Sequence, residues 1–197
     1  MKLRIDVDEA TLRRGLKSGH RTGINGAERR GLRFEHTRDA SRMSQFVDML
    51  RQTEQRAGFY SHDDAYFEAV AAELLPTGDA SLYFAMAGDR CTAGALVFDY
   101  GSTRYYAFGA TDSEARKLMP APPLVWRIIM DARAEGRRIF DFWGAAPPGS
   151  GPDHPWAGIT YFKSAFGAEL EQYAGTWELP VRQLSARIFR FAEAVRR

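Results

Sequence analysis

Residues 82–110 constrain the fold more than any other stretch. They hold three apolar runs, 82–87, 92–100 and 104–110, with Gly88-Asp89 and Gly101-Ser102 as linkers. Runs of this length with glycine punctuation read as strands joined by hairpins. A three-stranded antiparallel meander is therefore expected in the middle of the chain. Before it, two short basic helices are expected over 8–19 and 21–30, with Gly31 closing the second. A short strand begins at Gly31. A helix over about 40–55 starts from Asp39 as N-cap and places Met43, Phe46, Val47 and Leu50 on one face. Ser61 is expected to cap the next helix, whose inner face carries Tyr66, Phe67, Val70, Leu74 and Leu75. After the meander come a helix over about 122–135, closed by Gly136, and a strand over 138–143. A Gly/Pro-rich loop fills 145–155. A helix ending at Gly167, a strand over about 169–178 and a basic helix over about 182–196 complete the chain.

Composition limits the function classes. With 197 residues and 45% hydrophobic content, the chain is long enough for one domain with a proper core. Three segments are expected: a basic helical arm over 1–31, the main domain over 32–180 and a basic C-terminal helix over 181–197. No apolar run approaches the roughly 20 residues needed to cross a bilayer, and the first residues are too charged for a signal peptide. Cys91 is the single cysteine, and His20, His36, His62 and His154 show no metal-ligand spacing, so no metal site is expected. These features suggest a cytoplasmic protein with access to the inner face of the membrane. The net charge of +2 conceals an asymmetry. Residues 1–42 hold 11 Lys/Arg against 6 Asp/Glu, and residues 181–197 hold 5 against 1. The body between them is acidic. Basic ends attract phosphate, on nucleic acid or on an anionic membrane.

The element order implies an α/β fold with a mixed central sheet, antiparallel in its first half and with a helix crossover in its second. This order resembles the GNAT acyltransferase fold. Members of that fold hold the acetyl-CoA pyrophosphate on a glycine-rich loop at the start of the helix after the meander. Here the stretch reads Gly109-Ala110-Thr111-Asp112-Ser113-Glu114-Ala115-Arg116-Lys117-Leu118-Met119-Pro120-Ala121-Pro122-Pro123-Leu124. The glycine pair is missing, two acids lie upstream, and the prolines remove N–H donors. No acetyl-CoA is expected in the usual pose, and no other cofactor is implied.

The stretch Gly158-Ile159-Thr160-Tyr161-Phe162-Lys163-Ser164-Ala165-Phe166-Gly167 puts a lone lysine in an aromatic helical turn. Ile159, Phe162 and Phe166 fall at i, i+3 and i+7, and so on one face. Lys163 sits beside that face. The chain has 23 arginines and 4 lysines, so a lysine here suggests a need for a compact point charge. The local sequence also fits a lysine that snorkels past two core phenylalanines.

Several stretches in register resemble the Fem family of non-ribosomal peptidyl transferases, specifically the second of that family's two GNAT-like domains. They are Arg21-Thr22-Gly23-Ile24-Asn25-Gly26-Ala27-Glu28-Arg29-Arg30-Gly31, Thr53-Glu54-Gln55-Arg56-Ala57-Gly58-Phe59, Tyr105-Tyr106-Ala107-Phe108-Gly109-Ala110, residues 120–126, 136–144 and 158–167, and the tail 171–180. The resemblance implies transfer of an amino acid from aminoacyl-tRNA to the stem peptide of a peptidoglycan precursor, nucleotide-linked or lipid-linked. It implies a separate first domain as partner. By the same resemblance, Lys163 is the cation near the reacting ester or the tRNA 3′ end, and Phe162 packs against the terminal adenosine or fixes the lysine. From its own place at a strand's carboxyl end, before Gly144, Asp141 is expected to orient an amine. His62, Tyr66, Tyr106 and Trp143 line the acceptor cleft. Arg21, Arg29 and Arg30 contact tRNA phosphates. The family's Arg-x-x-x-Tyr pattern reads His62-Asp63-Asp64-Ala65-Tyr66 here, so a bidentate phosphate contact is lost. Two other readings stay open: an N-acyltransferase with a different acyl donor, and a non-catalytic half that needs a partner domain.

Overall fold

The computed structural model describes residues 1–175, 179 and 181–195. Chain order gives β1 (Lys2–Arg4), α1 (Glu9–Gly15), α2 (Ser18–Asn25), β2 (Leu32–Thr37), α3 (Met43–Ala57), α4 (Asp64–Glu73), β3 (Ala80–Ala87) and β4 (Arg90–Tyr100). β5 (Thr103–Thr111), α5 (Ala121–Ala134), β6 (Ile139–Asp141), α6 (Ala157–Ser164) and α7 (Gln183–Val195) follow. The strands form one six-stranded sheet in the order β1-β6-β5-β4-β3-β2. Every pairing is antiparallel except β5–β6, which is parallel because α5 carries the chain across between them. The α/β class and the mixed sheet expected from the sequence are present, and the meander is β3–β4–β5.

The sheet is covered on both faces. On one, Phe46, Leu50, Phe67, Val70 and Leu75 of α3, α4 and the turn after them pack over Leu82, Phe84 and Leu96. On the other, Leu124, Val125, Ile128 and Ile129 of α5 pack over Tyr83, Ala95 and Val97, joined by Leu12 and Leu16 from the first helices. Alternation along the strands explains this division, since successive side chains point to opposite faces. The alternation breaks once in β5. Leu96 faces Phe108 but Val97 faces Tyr106, so Ala107 is an extra residue in that strand. This bulge sends Phe108 to the α3/α4 face and Tyr106 to the α5 face.

Three local expectations need correction. No strand forms over 169–175. Glu169 makes an isolated bridge to Lys2, and residues 176–178 lie outside the described residues. The sheet edge is taken by β1, whose register pairs Lys2 with Asp141 and Arg4 with Ile139. Polar and apolar residues alternate over Lys2-Leu3-Arg4-Ile5-Asp6-Val7, and Leu3 and Ile5 are buried, so a strand signal was present in the sequence at this edge. Second, Asp63 caps α4, its side chain accepting from the Tyr66 amide, while Ser61 is engaged elsewhere. Third, the first two helices do not run over 8–19 and 21–30: α1 stops at Gly15 and α2 begins at Ser18, across the expected boundary. α2 ends at Asn25, and a 3-10 turn over Glu28–Arg30 follows, closed by Gly31 at φ 73°.

Arg104 of β5 ties the layers together from a fully buried position. Its Nε and Nη2 donate to the two carboxylate oxygens of Asp99 at 2.9 and 2.6 Å, and Nη1 donates to the Tyr83 hydroxyl at 3.0 Å. Nη2 also reaches Glu135 at the end of α5, at 2.7 Å. The network joins β3, β4, β5 and α5. Removing the guanidinium leaves the Asp99 charge and the Tyr83 hydroxyl short of partners in the interior. Arg104→Met should therefore lower unfolding free energy by about 3–5 kcal/mol in urea denaturation. A loss below about 1 kcal/mol, in the range of an exposed pair, would contradict this assignment.

Candidate active site

The site begins where a pairing ends. β5 and β6 are in register only over Thr103↔Ile139, Arg104↔Phe140 and Tyr105↔Asp141. β5 then runs on to Thr111, while the chain after β6 leaves the sheet at Phe142 and turns at Trp143. The two strands thus part at the carboxyl end of β6 and open a notch.

The turn at Trp143 is held in place by Asp141. Trp143 has φ 62°, a left-handed conformation that costs a bulky residue about 1–3 kcal/mol. Its amide donates to Asp141 Oδ1 at 2.7 Å, so the carboxylate fixes the backbone there. The Trp143 carbonyl accepts from the Met1 ammonium, and the following carbonyl, that of Gly144, accepts from Lys163 Nζ at 2.5 Å. At Gly144 a Cβ would lie 3.2 Å from the exposed Trp156 ring, so a larger residue would require that ring to shift by a few tenths of an ångström.

Lys163 is only 5% exposed, so the snorkelling reading fails. The expected inner face of α6 is also altered: Ile159 is 48% exposed, and the buried side chains at this end are Lys163, Ala165 and Phe166. Burial lowers the Lys163 amine from its usual range to about 8, and the nearby Asp141 charge opposes that shift. Among the described residues no carboxylate comes within ion-pairing distance of Nζ. An ammonium has three donors, and the Gly144 carbonyl takes one. A buried cation without a contacting counter-ion, and with donors to spare, is suited to charge that arrives or develops beside it.

α2 braces the lysine helix from behind. The His20 ring nitrogen Nε2 lies 3.1 Å from the Phe162 carbonyl, and its ring sits edge-on to Phe166 at 4.4 Å. Burial lowers the His20 pKa. Lys17 donates to Ser164 Oγ at 3.1 Å, and its amide to the Ala165 carbonyl at 3.0 Å. Phe162 is half-buried between His20 and Phe166, at 5.0 and 5.3 Å between ring centres. On the other side of α6, Thr160 Oγ1 accepts from the Ala146 amide at 2.8 Å and so pins the Gly/Pro-rich loop. His154 in that loop accepts the Trp156 amide through Nδ1 at 3.0 Å.

An aromatic wall flanks the notch. His62 stacks on Tyr66 at 4.0 Å and 17°. Both rings meet Phe108 edge-on, at 5.8 and 6.1 Å, and Phe108 reaches Trp143 at 6.5 Å. The structure thereby gathers His62, Tyr66 and Trp143 around a residue that sequence reasoning did not single out. Phe108 lies within one of the stretches that carry the family resemblance, but only the bulge at Ala107 turns it towards α4. The same bulge separates Tyr106 from this wall. Tyr106 packs on Phe140 and Phe142 at 6.4 and 6.1 Å, with its hydroxyl against Gly109. Burial raises its phenol pKa. The loop carrying His62 is anchored by Glu54, which is 4% exposed. Its carboxylate accepts from the Ser61 amide at 3.0 Å, from the Ser61 hydroxyl, and from Arg51 at 2.7 Å. Burial works against its charge, but these bonds outweigh it and hold the carboxyl below its usual range.

The three arginines expected at phosphates have different surroundings. Arg29 is exposed at the 3-10 turn. Arg21 is exposed and donates to the Leu16 carbonyl at 2.9 Å, bracing the α1–α2 junction. Arg30 is half-buried, with its guanidinium on the Leu118 carbonyl at 2.8 Å and on the Gly23 carbonyl. At the start of α5, Pro120, Pro122 and Pro123 leave Ala121 as the one backbone N–H donor of residues 120–123. Upstream, Arg90 is paired with Asp112 and Glu114.

Known proteins share the sequence family and the fold. The family model described as "Acetyltransferase (GNAT) domain" matches residues 12–156. A lipid II:glycine glycyltransferase of Staphylococcus saprophyticus is 21% identical over an alignment covering 88% of this chain and 56% of the relative. The chain thus spans a little over half the length of that curated relative. The crystal structure of FemX superposes with a TM-score of 0.76 at 21% identity, covering 85% of this chain and 57% of that one. The C-terminal domain of a putative lysylphosphatidylglycerol synthetase from Agrobacterium fabrum gives a TM-score of 0.61 at 14% identity, over 85% of this chain and 56% of that chain. The chain belongs to the GNAT acetyltransferase-domain family, with sequence similarity to lipid II:glycine glycyltransferases and a fold like that of FemX.

Proposed function

We propose that this protein is an aminoacyltransferase that moves an amino acid from aminoacyl-tRNA to an amine on the stem peptide of a peptidoglycan precursor. The observation that carries the reading is the buried Lys163 ammonium. It has donors unused and sits where β5 and β6 part, beside an aromatic wall. The similarity to a lipid II:glycine glycyltransferase supports the substrate class.

In this reading the acceptor amine attacks the ester carbonyl of the charged tRNA. A C–N bond forms, the C–O bond to the terminal ribose breaks, and the ribose oxygen leaves with the proton the amine gives up. The ester is already activated, so positioning and charge stabilisation can supply much of the rate. Lys163 stabilises the oxyanion of the tetrahedral intermediate. Asp141 acts as a positioning residue, since it fixes the Trp143 turn that presents the Gly144 carbonyl to Lys163. Phe162 holds the lysine turn against His20 and Phe166. His62, Tyr66, Phe108 and Trp143 offer flat apolar faces for a sugar or base. Tyr106 shapes the floor of the notch rather than its wall. Arg29 is the arginine of the predicted trio best placed for a phosphate, because Arg30 and Arg21 already hold backbone carbonyls.

Lys163→Met should lower the transfer rate by about a hundred- to a thousandfold, the usual loss for one oxyanion donor. Its melting temperature should not fall, because a desolvated charge is removed and the stem kept. Lys163→Arg should recover only part of the rate. Single-turnover transfer from charged tRNA, with and without a Fem-type first domain supplied in trans, measures both. A Lys163→Met enzyme with wild-type rate would end the proposed role.

The pH profile gives the sign of the charge. The Lys163 pKa is lowered to about 8, so the cation is present below that pH and lost above it. A cationic role predicts a rate that falls as pH rises through 8. A base role predicts the opposite limb, and either limb should vanish in Lys163→Arg.

Acetyl-CoA should not bind at micromolar concentration, because the proline-rich start of α5 lacks the N–H donors that hold a pyrophosphate. Calorimetric titration giving a micromolar Kd would restore an acetyl-CoA-dependent reading.

Affinity for tRNA should fall steeply with salt, and Arg29→Glu should weaken it while lowering the slope of log K against log salt by about one. An affinity indifferent to salt would remove tRNA as the partner of the basic helices.

A further inference from the structure

We infer that α7 is an interfacial helix that lies on an anionic lipid surface. Its sequence places Leu184, Ile188, Phe191 and Val195 at i, i+4, i+7 and i+11, which is one stripe at about 100° per residue. The middle of this stripe is not folded onto the domain: Ile188 is 63% exposed and Phe191 is 74% exposed. Phe189 widens the apolar sector and is 62% exposed. Immediately before the helix, Leu179 and Val181 are 87% and 88% exposed. Five large apolar side chains between positions 179 and 191 thus face solvent.

Charge complementarity selects the occupant. Arg187 and Arg190 fall together along one border of the apolar sector, and Arg182 precedes the first turn. Glu193 is the single acid in the sequence of the helix. An apolar face edged by arginines matches a surface whose outer layer is negative and whose interior is hydrocarbon. RNA would meet the arginine-bearing border and leave Ile188, Val181 and Leu179 in water. A second copy of the helix would bring its own arginines and almost no acid to meet them. The helix of 13 residues is about 20 Å long, too short for a hydrocarbon core of about 30 Å, so it lies in the plane. Likewise, among the described residues no helix is long and apolar enough to cross a membrane. This inference does not depend on the aminoacyl-transfer reading. It would, however, place the protein at the surface where a lipid-linked acceptor resides.

The test uses the full chain and vesicles of equal parts phosphatidylglycerol and phosphatidylcholine, without tRNA or any lipid-linked precursor. The protein should co-sediment with these vesicles and bind pure phosphatidylcholine at least about tenfold more weakly. The double variant Ile188→Asp/Phe191→Asp should lose binding by about tenfold or more at every salt concentration, because the buried apolar area is removed. Arg187→Gln/Arg190→Gln should lose about tenfold at low salt and converge on the wild type at high salt. Failure of the wild type to sediment would overturn the inference, as would unchanged binding by the aspartate variant. A dimer in analytical ultracentrifugation that the aspartate variant dissolves would give the face to a second copy instead. Loss of tRNA affinity in the arginine variant, without any vesicle binding, would give it to RNA. Because no activity is read, these outcomes are separate from success or failure of the transfer assay.

Discussion

The structure turns on a parallel pairing that stops early. β5 and β6 share three rungs and then separate, so a sheet otherwise closed by packing on both faces is open at one place. Backbone groups along the rest of β5 lose their neighbour there. The Trp143 turn begins there, and α6 is brought back across the gap with Lys163 aimed at the Gly144 carbonyl. The layers around the gap are rigid. Arg104 ties the paired half of β5 to Tyr83, Asp99 and Glu135, so the strands are firmly joined just before they part. The notch is a local discontinuity in a stiff frame, which is the arrangement a reacting centre needs for accurate positioning.

Lys163 carries an electrostatic cost that the fold offsets only in part. A desolvated ammonium in contact with one neutral carbonyl is poorer than the same group in water. Two features reduce the cost. Asp141 is near enough to favour the charged form, and Lys163 lies in the last turn of α6, where the helix dipole favours a cation. Neither supplies a contacting anion. A group kept charged but unpaired interacts most strongly with negative charge that appears next to it. That preference is the physical basis for placing oxyanion stabilisation at this residue.

The two helical layers contribute to the site by different means. α2 reaches it through contact, with His20 and Lys17 fixing the end of α6. α3 reaches it through a buried carboxylate, since Glu54 anchors Ser61 and thereby the loop that stacks His62 on Tyr66. Both are cases where a polar group inside the protein is fully used for geometry. The first helices consequently serve two surfaces at once. Their buried side holds the lysine helix, and their exposed side carries Arg29 and other basic residues.

By itself the sequence determined the meander, the surrounding helices, the α/β class and the stretch around Lys163. These follow from periodicity, capping residues and glycine stops, all of which act over a few residues. It also exposed the missing donors at the start of α5, because proline's lack of an N–H is written in the residue itself. The tertiary structure decided the rest. The depth of Lys163 depends on which side of a short helix faces the sheet, and two phenylalanines beside it are compatible with either a buried or a snorkelling lysine. The split between Tyr106 and Phe108 depends on one bulged residue in β5, and a bulge is set by the partner strand's register. The strand at the sheet edge came from Lys2–Arg4 and not from the tail, because edge pairing is a choice between distant segments. The commitment of Arg30 to carbonyls rather than phosphate is likewise a long-range contact, with Leu118 as partner. Local pattern fixes elements, while register, burial and charge environment are fixed only when those elements pack.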